Sequence, residues 1–266
     1  MKPKIISIVG ITTSGKSDLA VEIAKLFNGE VVSCDSRQVY VGLDIGSAKI
    51  TTTEMQGVPH HLLSFVEPPK KQGENQPTTP TYSVAEFQRD AYRVIDEILL
   101  RGKLPILCGG TGLYSRAVVE GYNFAMSPAE NELANDDNPE KTYRVSEPRY
   151  NVLQFALLPP KEWIAPRVLA RIKKHLNEGI IEETASLLKN GVSPEFLLKL
   201  GLEYYWNVKF IRGEVTRDEY IENLYTRTMQ YAKRQRTWFK REKNTVFLTN
   251  PETFKDEIIE KTKNFI

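Results

Sequence analysis

Apolar residues recur along the chain in two rhythms. In "KIISIV", residues 4–9, β-branched residues run together up to Gly10, which predicts a buried strand. From Ser17 to Phe27 the apolar positions are Leu19, Ala20, Ile23, Ala24 and Phe27, the spacing of one helix face, and Asn28-Gly29 ends the run. "EVVSC" predicts a second short strand leading to Asp35. Helical spacing returns from Val84 to Arg101, with Ser83 as its cap and Gly102 as its stop. "LPILC" predicts a buried strand running into "GGTG". This alternation implies an α/β fold, a parallel sheet with helices on both faces.

The second half resumes the pattern. "YNVLQFALL" has strand character, Trp163 to Leu188 is helical with Gly179 as a weak point, Asp218 to Lys243 reads as a long charged helix, and "TVFL" offers a last strand. Two stretches break the rhythm. Lys70 to Pro80 is a polar, proline-rich loop, and Phe124 to Tyr150 centres on "ENELANDDNPE". Between Ala125 and Glu147 stand six acids against two bases, the composition of a solvated connector. The expected organisation is a core over residues 1–121, a connector over 122–150, and the remainder of the core with a basic helical segment over 151–266.

Composition excludes little. Net charge is +2 from 36 basic and 34 acidic residues, so any basic site must be local. Cys34 and Cys108 each sit on an apolar run and read as buried thiols. The N-terminal apolar run is too short for a signal peptide, and no apolar run is long enough to span a bilayer. A soluble, cytoplasmic monomer is expected.

The chemistry begins at "GITTSGKS", Gly10 to Ser17, which fits the phosphate-cradling pattern G-x-x-x-x-G-K-[ST] between a strand and a helix. Gly10, Thr12, Thr13, Ser14 and Gly15 would turn backbone N–H groups onto oxygen anions, Lys16 would add a point charge, and Ser17 would ligate Mg²⁺. The loop does not say whether the ligand is ATP, GTP or another diphosphate. Asp35, at the carboxyl end of the second strand, falls in the same crevice and is a candidate general base, with a turn acid as the plainer alternative. "CGGTGLY" permits close backbone approach, and Thr111 there can donate and accept. From Arg227 to Lys243 stand seven bases and one acid, with Tyr231 and Trp238 interleaved. Such a helix suits nucleic acid or a diphosphate, or is a solvated helix packed by its aromatics. His60 and His61 read as structural, His175 as a helix-surface residue, and Tyr204, Tyr205 and Trp206 as packing.

Together "GITTSGKS", "DSRQVYVGLDIGSAK", "GVPHHLLSFVEP", "YSVAEFQRDA", "GGTGLYSRAVVEG" and "RTMQYAKRQRTWF" resemble, in order, the motifs of the tRNA dimethylallyltransferase (tRNA isopentenyltransferase) family. The resemblance covers roughly residues 4–121 and 151–248. It implies transfer of a dimethylallyl group from dimethylallyl diphosphate to the exocyclic amine of the adenosine beside the anticodon. Asp35 would hold the amine and take its proton, Thr12 would support the diphosphate or reaction centre, and Arg227 would reach the diphosphate from the far side. Ser36, Arg37 and Gln38 would lie near the flipped adenine. Thr111 and the run Thr228 to Gln235, including Gln230, Lys233, Arg234 and Gln235, would contact tRNA. The chain departs from the family after "GGTGLY", where a helical insertion is usual and the acidic connector stands instead, and at Ile11, where proline is common. A free adenine nucleotide is therefore an alternative acceptor. A small-molecule P-loop kinase and a non-catalytic RNA-binding relic are rivals from other classes. A kinase would need an arginine-bearing lid, and Phe124 to Tyr150 supplies only Arg144 and Arg149.

Overall fold

The computed structural model describes residues 2–71, 81–124, 144–145 and 147–266. Most of the Lys70–Pro80 loop and the core of the acidic connector lie outside the described residues. The chain runs β1 (Lys4–Gly10), α1 (Lys16–Leu26), β2 (Gly29–Ser33), α2 (Thr52–Met55), β3 (His60–His61), α3 (Val84–Leu100), β4 (Leu104–Gly109), α4 (Gly112–Glu120), β5 (Tyr122–Asn123) and β6 (Arg144–Val145). It continues through β7 (Asn151–Leu157), α5 (Lys161–Glu178), α6 (Ile180–Lys189), α7 (Pro194–Leu200), α8 (Leu202–Ile211), α9 (Arg217–Phe239), β8 (Thr245–Leu248) and α10 (Phe254–Phe265).

Six strands form one parallel sheet in the order β3-β2-β4-β1-β7-β8. Alternation along β1 explains the helices on both faces. Ile6 and Ile8 pack with Val21 and Ile23 of α1 and with Phe254 and Ile258 of α10. Ile5 points the other way, into Phe87, Ala91 and Ile95 of α3 and Val118 of α4. A strand buried on both faces carries no exposed polar side, which is why "IISIV" is apolar but for Ser7, whose buried hydroxyl donates to Gln154. A separate helical group, α6 to α8, packs over residues 39–43 through Tyr40, Leu43, Phe196 and Tyr204.

Local signals place the helix starts. Ser83 Oγ accepts from the Glu86 N–H and the Glu86 carboxylate accepts from the Ser83 N–H, a reciprocal capping box at α3. Thr216 and Glu219 do the same for α9, which starts at Arg217, one residue ahead of the expected start. That helix also ends at Phe239 rather than Lys243, because Glu242 turns inward onto Arg116 and Asn244 takes a left-handed conformation before β8. The helix expected from Trp163 to Leu188 is two helices, broken at Gly179, whose φ of 93° is left-handed.

His175 corrects an expectation. It shares a face of α5 with Val168 and Ile172, is buried, and is pushed down to about 4 by burial and by nearby Arg171, so it stays neutral. Its spacing from those two apolar residues carried the signal. His61 lies on the edge strand β3, with Nε2 2.7 Å from the Glu30 carboxylate, a structural pairing. Cys34 and Cys108 are free and buried. Tyr204 is wholly buried and donates to Glu183. Among the described residues, no helix is long and apolar enough to cross a membrane.

The tightest approach in the sheet lies where β4 passes the end of β2. A Cβ on Gly109 would sit 2.0 Å from the Cys34 carbonyl oxygen and 2.4 Å from its carbon. Backbone cannot swing aside as a side chain can. Gly109→Ala is expected to cost about 2–3 kcal/mol, read as a lower urea midpoint at unchanged slope.

Candidate active site

The loop between β1 and α1 is built as the sequence pattern requires. Gly15, at φ 84°, takes the left-handed turn that starts α1, and Thr13 is also left-handed at φ 59°. Lys16 folds back so that Nζ donates to the Ile11 carbonyl at 2.7 Å. Burial pushes its ammonium down to about 8, although Cys108 and Asp35 nearby favour the charge. Ser14 is buried, and its Oγ has no hydrogen-bond partner among the described residues. An orphaned hydroxyl in a loop at a helix N-terminus is suited to an oxygen anion.

This loop forms one wall of a cavity of about 250 Å³, lined also by Asp18, Asp35, Arg37, Gln38, Arg171 and Glu203. Asp35 follows β2, and its Oδ1 accepts the Arg37 N–H at 2.9 Å, a turn that fixes the carboxylate. The Ser36 N–H donates to Thr111 Oγ1 at 3.0 Å, tying the ends of β2 and β4 together. Gln38 is committed to structure: it accepts from Ser33 and donates to the carbonyls of Ser47 and Ala48.

The far wall comes from α9. Gln235 is buried, accepting the Thr12 N–H at 2.8 Å and donating to the Gly110 carbonyl at 2.9 Å. Its amide is thus spent on the loop and the β4–α4 turn, and the Thr12 N–H is spent with it. Tyr231, one turn earlier, also lines the cavity, with the Arg37 guanidinium 5.9 Å from its ring centre.

Sequence reasoning missed two residues here. Arg171 of α5 donates from Nη1 to Thr12 Oγ1 at 2.7 Å and from Nη2 to Glu203 at 3.4 Å. Glu203, buried at the start of α8, takes Arg37 Nη1 on its other oxygen at 3.1 Å. Burial opposes its charge, but Arg37 and Arg171 hold the Glu203 carboxyl below its ordinary range. Burial likewise opposes the charge of Arg37, and Glu203 holds that guanidinium above its ordinary range. Neither "LARIKKH" nor "GLEYYW" is a recognisable motif, and only the packing of α5 and α8 against the loop brings the pair in.

The remaining predicted residues separate into two places. Thr12, Thr13, Ser14, Gly15, Lys16, Ser17, Asp35, Arg37, Gln38 and Gln235 share the cavity wall, with Gly10 ending β1 behind it. Arg227, Gln230, Lys233 and Arg234 are exposed on α9. Arg227 Nη1 donates to Gln230 at 3.2 Å and does not line the cavity; the guanidiniums that do belong to Arg37 and Arg171.

A family model described as IPP transferase matches residues 38–147 and 133–242, and one described as isopentenyl transferase matches residues 3–67. The chain is 36% identical to tRNA dimethylallyltransferase 2 of Shewanella sediminis, over 89% of each chain. It is 33% identical to the tRNA dimethylallyltransferase of Streptococcus sanguinis, over 100% of this chain and 99% of that one. The latter alignment runs over 305 positions against 266 residues here, so the relative has positions that this chain lacks. Among solved structures, the tRNA isopentenylpyrophosphate transferase of Bacillus halodurans superposes with a TM-score of 0.81 at 31% identity, covering 99% of this chain and 95% of that one. Matched in sequence and in fold over nearly all its length, the chain belongs to the tRNA dimethylallyltransferase family.

Proposed function

We propose that the protein transfers the dimethylallyl group of dimethylallyl diphosphate to the N6 amine of the adenosine beside the anticodon in tRNA, releasing pyrophosphate. One observation supports this most directly. The anion cradle with Lys16 and the Asp35 carboxylate line a single small cavity. The donor's C1–O bond breaks with its electron pair going to the diphosphate, C1–N6 forms, and the amine proton passes to Asp35. Charge develops on the departing oxygen, so Lys16 and the loop amides stabilise the transition state more than the ground state. An adenine must leave its stack to present N6. The exposed Gln230, Lys233 and Arg234 of α9 suit the anticodon loop's backbone, while Arg37 and Tyr231 suit the extruded base.

The oxygen-rich cradle fits a hard divalent cation. Ser17 lines it, Ser14 Oγ is unsatisfied among the described residues, and Asp18 and Asp35 stand at its wall. Ser17 would hold Mg²⁺, which when bound supplies charge to the departing diphosphate. Arg227 would act on the RNA side from its exposed position on α9, rather than on the diphosphate. A tRNA substrate and two free thiols fit the cytoplasm, and a monomer contains every residue invoked here.

The shorter chain favours a second acceptor, a free adenine nucleotide, because fewer residues are available to grip a stem. Labelled dimethylallyl diphosphate with Mg²⁺ and either total tRNA or AMP separates the two. Label on tRNA is expected; label on AMP alone would establish the second acceptor, and phosphorylation from ATP would establish a kinase.

Two further outcomes follow from the geometry. Asp35→Asn should lower kcat by roughly 10²–10³-fold while tRNA affinity in filter binding changes little, since Asp35 would meet the tRNA only at the reacting amine and Asn keeps an oxygen to accept the Arg37 N–H. Lys16 binds the diphosphate as a cation, and its ammonium sits at about 8 in the free protein. Deprotonation therefore begins near neutrality, and kcat/KM for the donor should fall as pH rises through about 8. Bound diphosphate favours the charged form, so kcat should fall only at higher pH. Steady-state rates against pH check both, and Lys16→Met should remove the inflection.

A further inference from the structure

We infer that Arg171 is a positioning residue for the transfer, acting through Thr12 to aim a hydroxyl proton at the donor's diphosphate. The inference rests on the reaction proposed above and adds a residue that no sequence motif marks.

A threonine hydroxyl carries one donor and two acceptor sites, and a guanidinium carries donors only. Arg171 Nη1 donates to Thr12 Oγ1 at 2.7 Å, so the Thr12 proton cannot point back at Arg171 and must take another direction. Thr12 lies on the cavity wall, in the loop that would hold the diphosphate. The hydroxyl is therefore a donor toward the anion, and it is polarised by the cation behind it. Without the arginine the same hydroxyl is free to rotate and accept, or to donate to water.

The guanidinium is itself held. Nη2 reaches Glu203 at 3.4 Å, and Glu203 is fixed from its other side by Arg37 at 3.1 Å. One carboxylate between two guanidiniums leaves a net positive charge facing the loop and fixes the plane of Arg171. The Arg171 Nε is buried without a partner among the described residues, a cost expected to persist only where the other two contacts demand that pose. His175, one turn on along α5, is neutral and does not compete for Glu203.

In the transfer, C1–O breaks with its electron pair going to the diphosphate, C1–N6 forms, and the amine proton goes to Asp35. The Thr12 proton is shared with a diphosphate oxygen and returns with product release. Arg171 touches neither reactant in this account.

A double-mutant cycle in the full-length protein tests the coupling, with labelled dimethylallyl diphosphate and tRNA as substrates. Thr12→Val and Arg171→Met should each lower kcat by roughly 30- to 300-fold, with donor KM changed less than about threefold. If Arg171 acts through Thr12, the double variant should be within about threefold of the worse single one. Arg171→Lys keeps charge but cannot bridge Thr12 and Glu203 as a fork, and should recover only part of the loss. Should Arg171→Met fail to fold, Arg171→Lys with Thr12→Val completes the same cycle. Losses that multiply, or an Arg171 effect confined to KM, would overturn the positioning role while leaving the reaction intact. Failure of the unaltered protein to transfer label to tRNA would instead overturn the reaction and, with it, this inference.

Discussion

A single amide holds the site together. Gln235 is the point where α9 crosses the ends of β1 and β4, and its two polar atoms bridge the phosphate loop to the β4–α4 turn. A glycine leaves room at the crossing: a Cβ on Gly110 would stand 2.8 Å from the Gln235 nitrogen and push that amide off its two bonds. Gly112 answers Trp238 in the same way, at 2.2 Å. The "GGTG" segment is therefore glycine-rich partly to receive a helix and not only a ligand. Once α9 is seated, Tyr231 closes the cavity from above while the exposed side of the same helix presents bases to solvent. One helix thus joins the anion cradle to a surface suited to RNA.

The electrostatics are local, as a net charge of +2 requires. Lys16, Arg37 and Arg171 meet Asp35 and Glu203 in one small space. With Asp18 and Glu54 also on the wall, the lining cations do not outnumber the carboxylates, so attraction for a diphosphate rests on where Lys16 and the loop stand rather than on a net surplus. Burying Lys16 there is costly: its ammonium donates to the Ile11 carbonyl and is pushed down to about 8 by desolvation. A diphosphate would draw that ammonium away from the carbonyl and strengthen its hold on the proton.

Most of the fold was legible because its signals are local. The two-sided burial of β1 and β7 produces mainly apolar runs, interrupted inside by Ser7 and Gln154, which bond each other, and Ser83 and Glu86 announce α3 by direct side-chain bonding. The loop at Gly10 to Ser17 was legible for the same reason, since its geometry is set within eight residues. Arg171 and Glu203 were not, because Arg171 reaches Thr12 from 159 residues away and Glu203 reaches Arg171 from α8, through packing alone. The family resemblance places Gln235 among the tRNA contacts, but the face it shares with Thr228, Ala232 and Phe239 turns it inward. A basic helix has two sides, and composition does not say which residue faces which.

The order of the sheet has a consequence for biosynthesis. β1 lies between β4 and β7, and its first residue, Lys4, is in register with Asn151. While a ribosome is still making the first half of the chain, the strand that carries the phosphate loop has one bare edge. Its other neighbour is complete only at Leu157, and Gln235 emerges later still. The nascent protein must therefore keep an apolar strand from pairing with other chains for most of its synthesis, the circumstance in which holding chaperones are most needed.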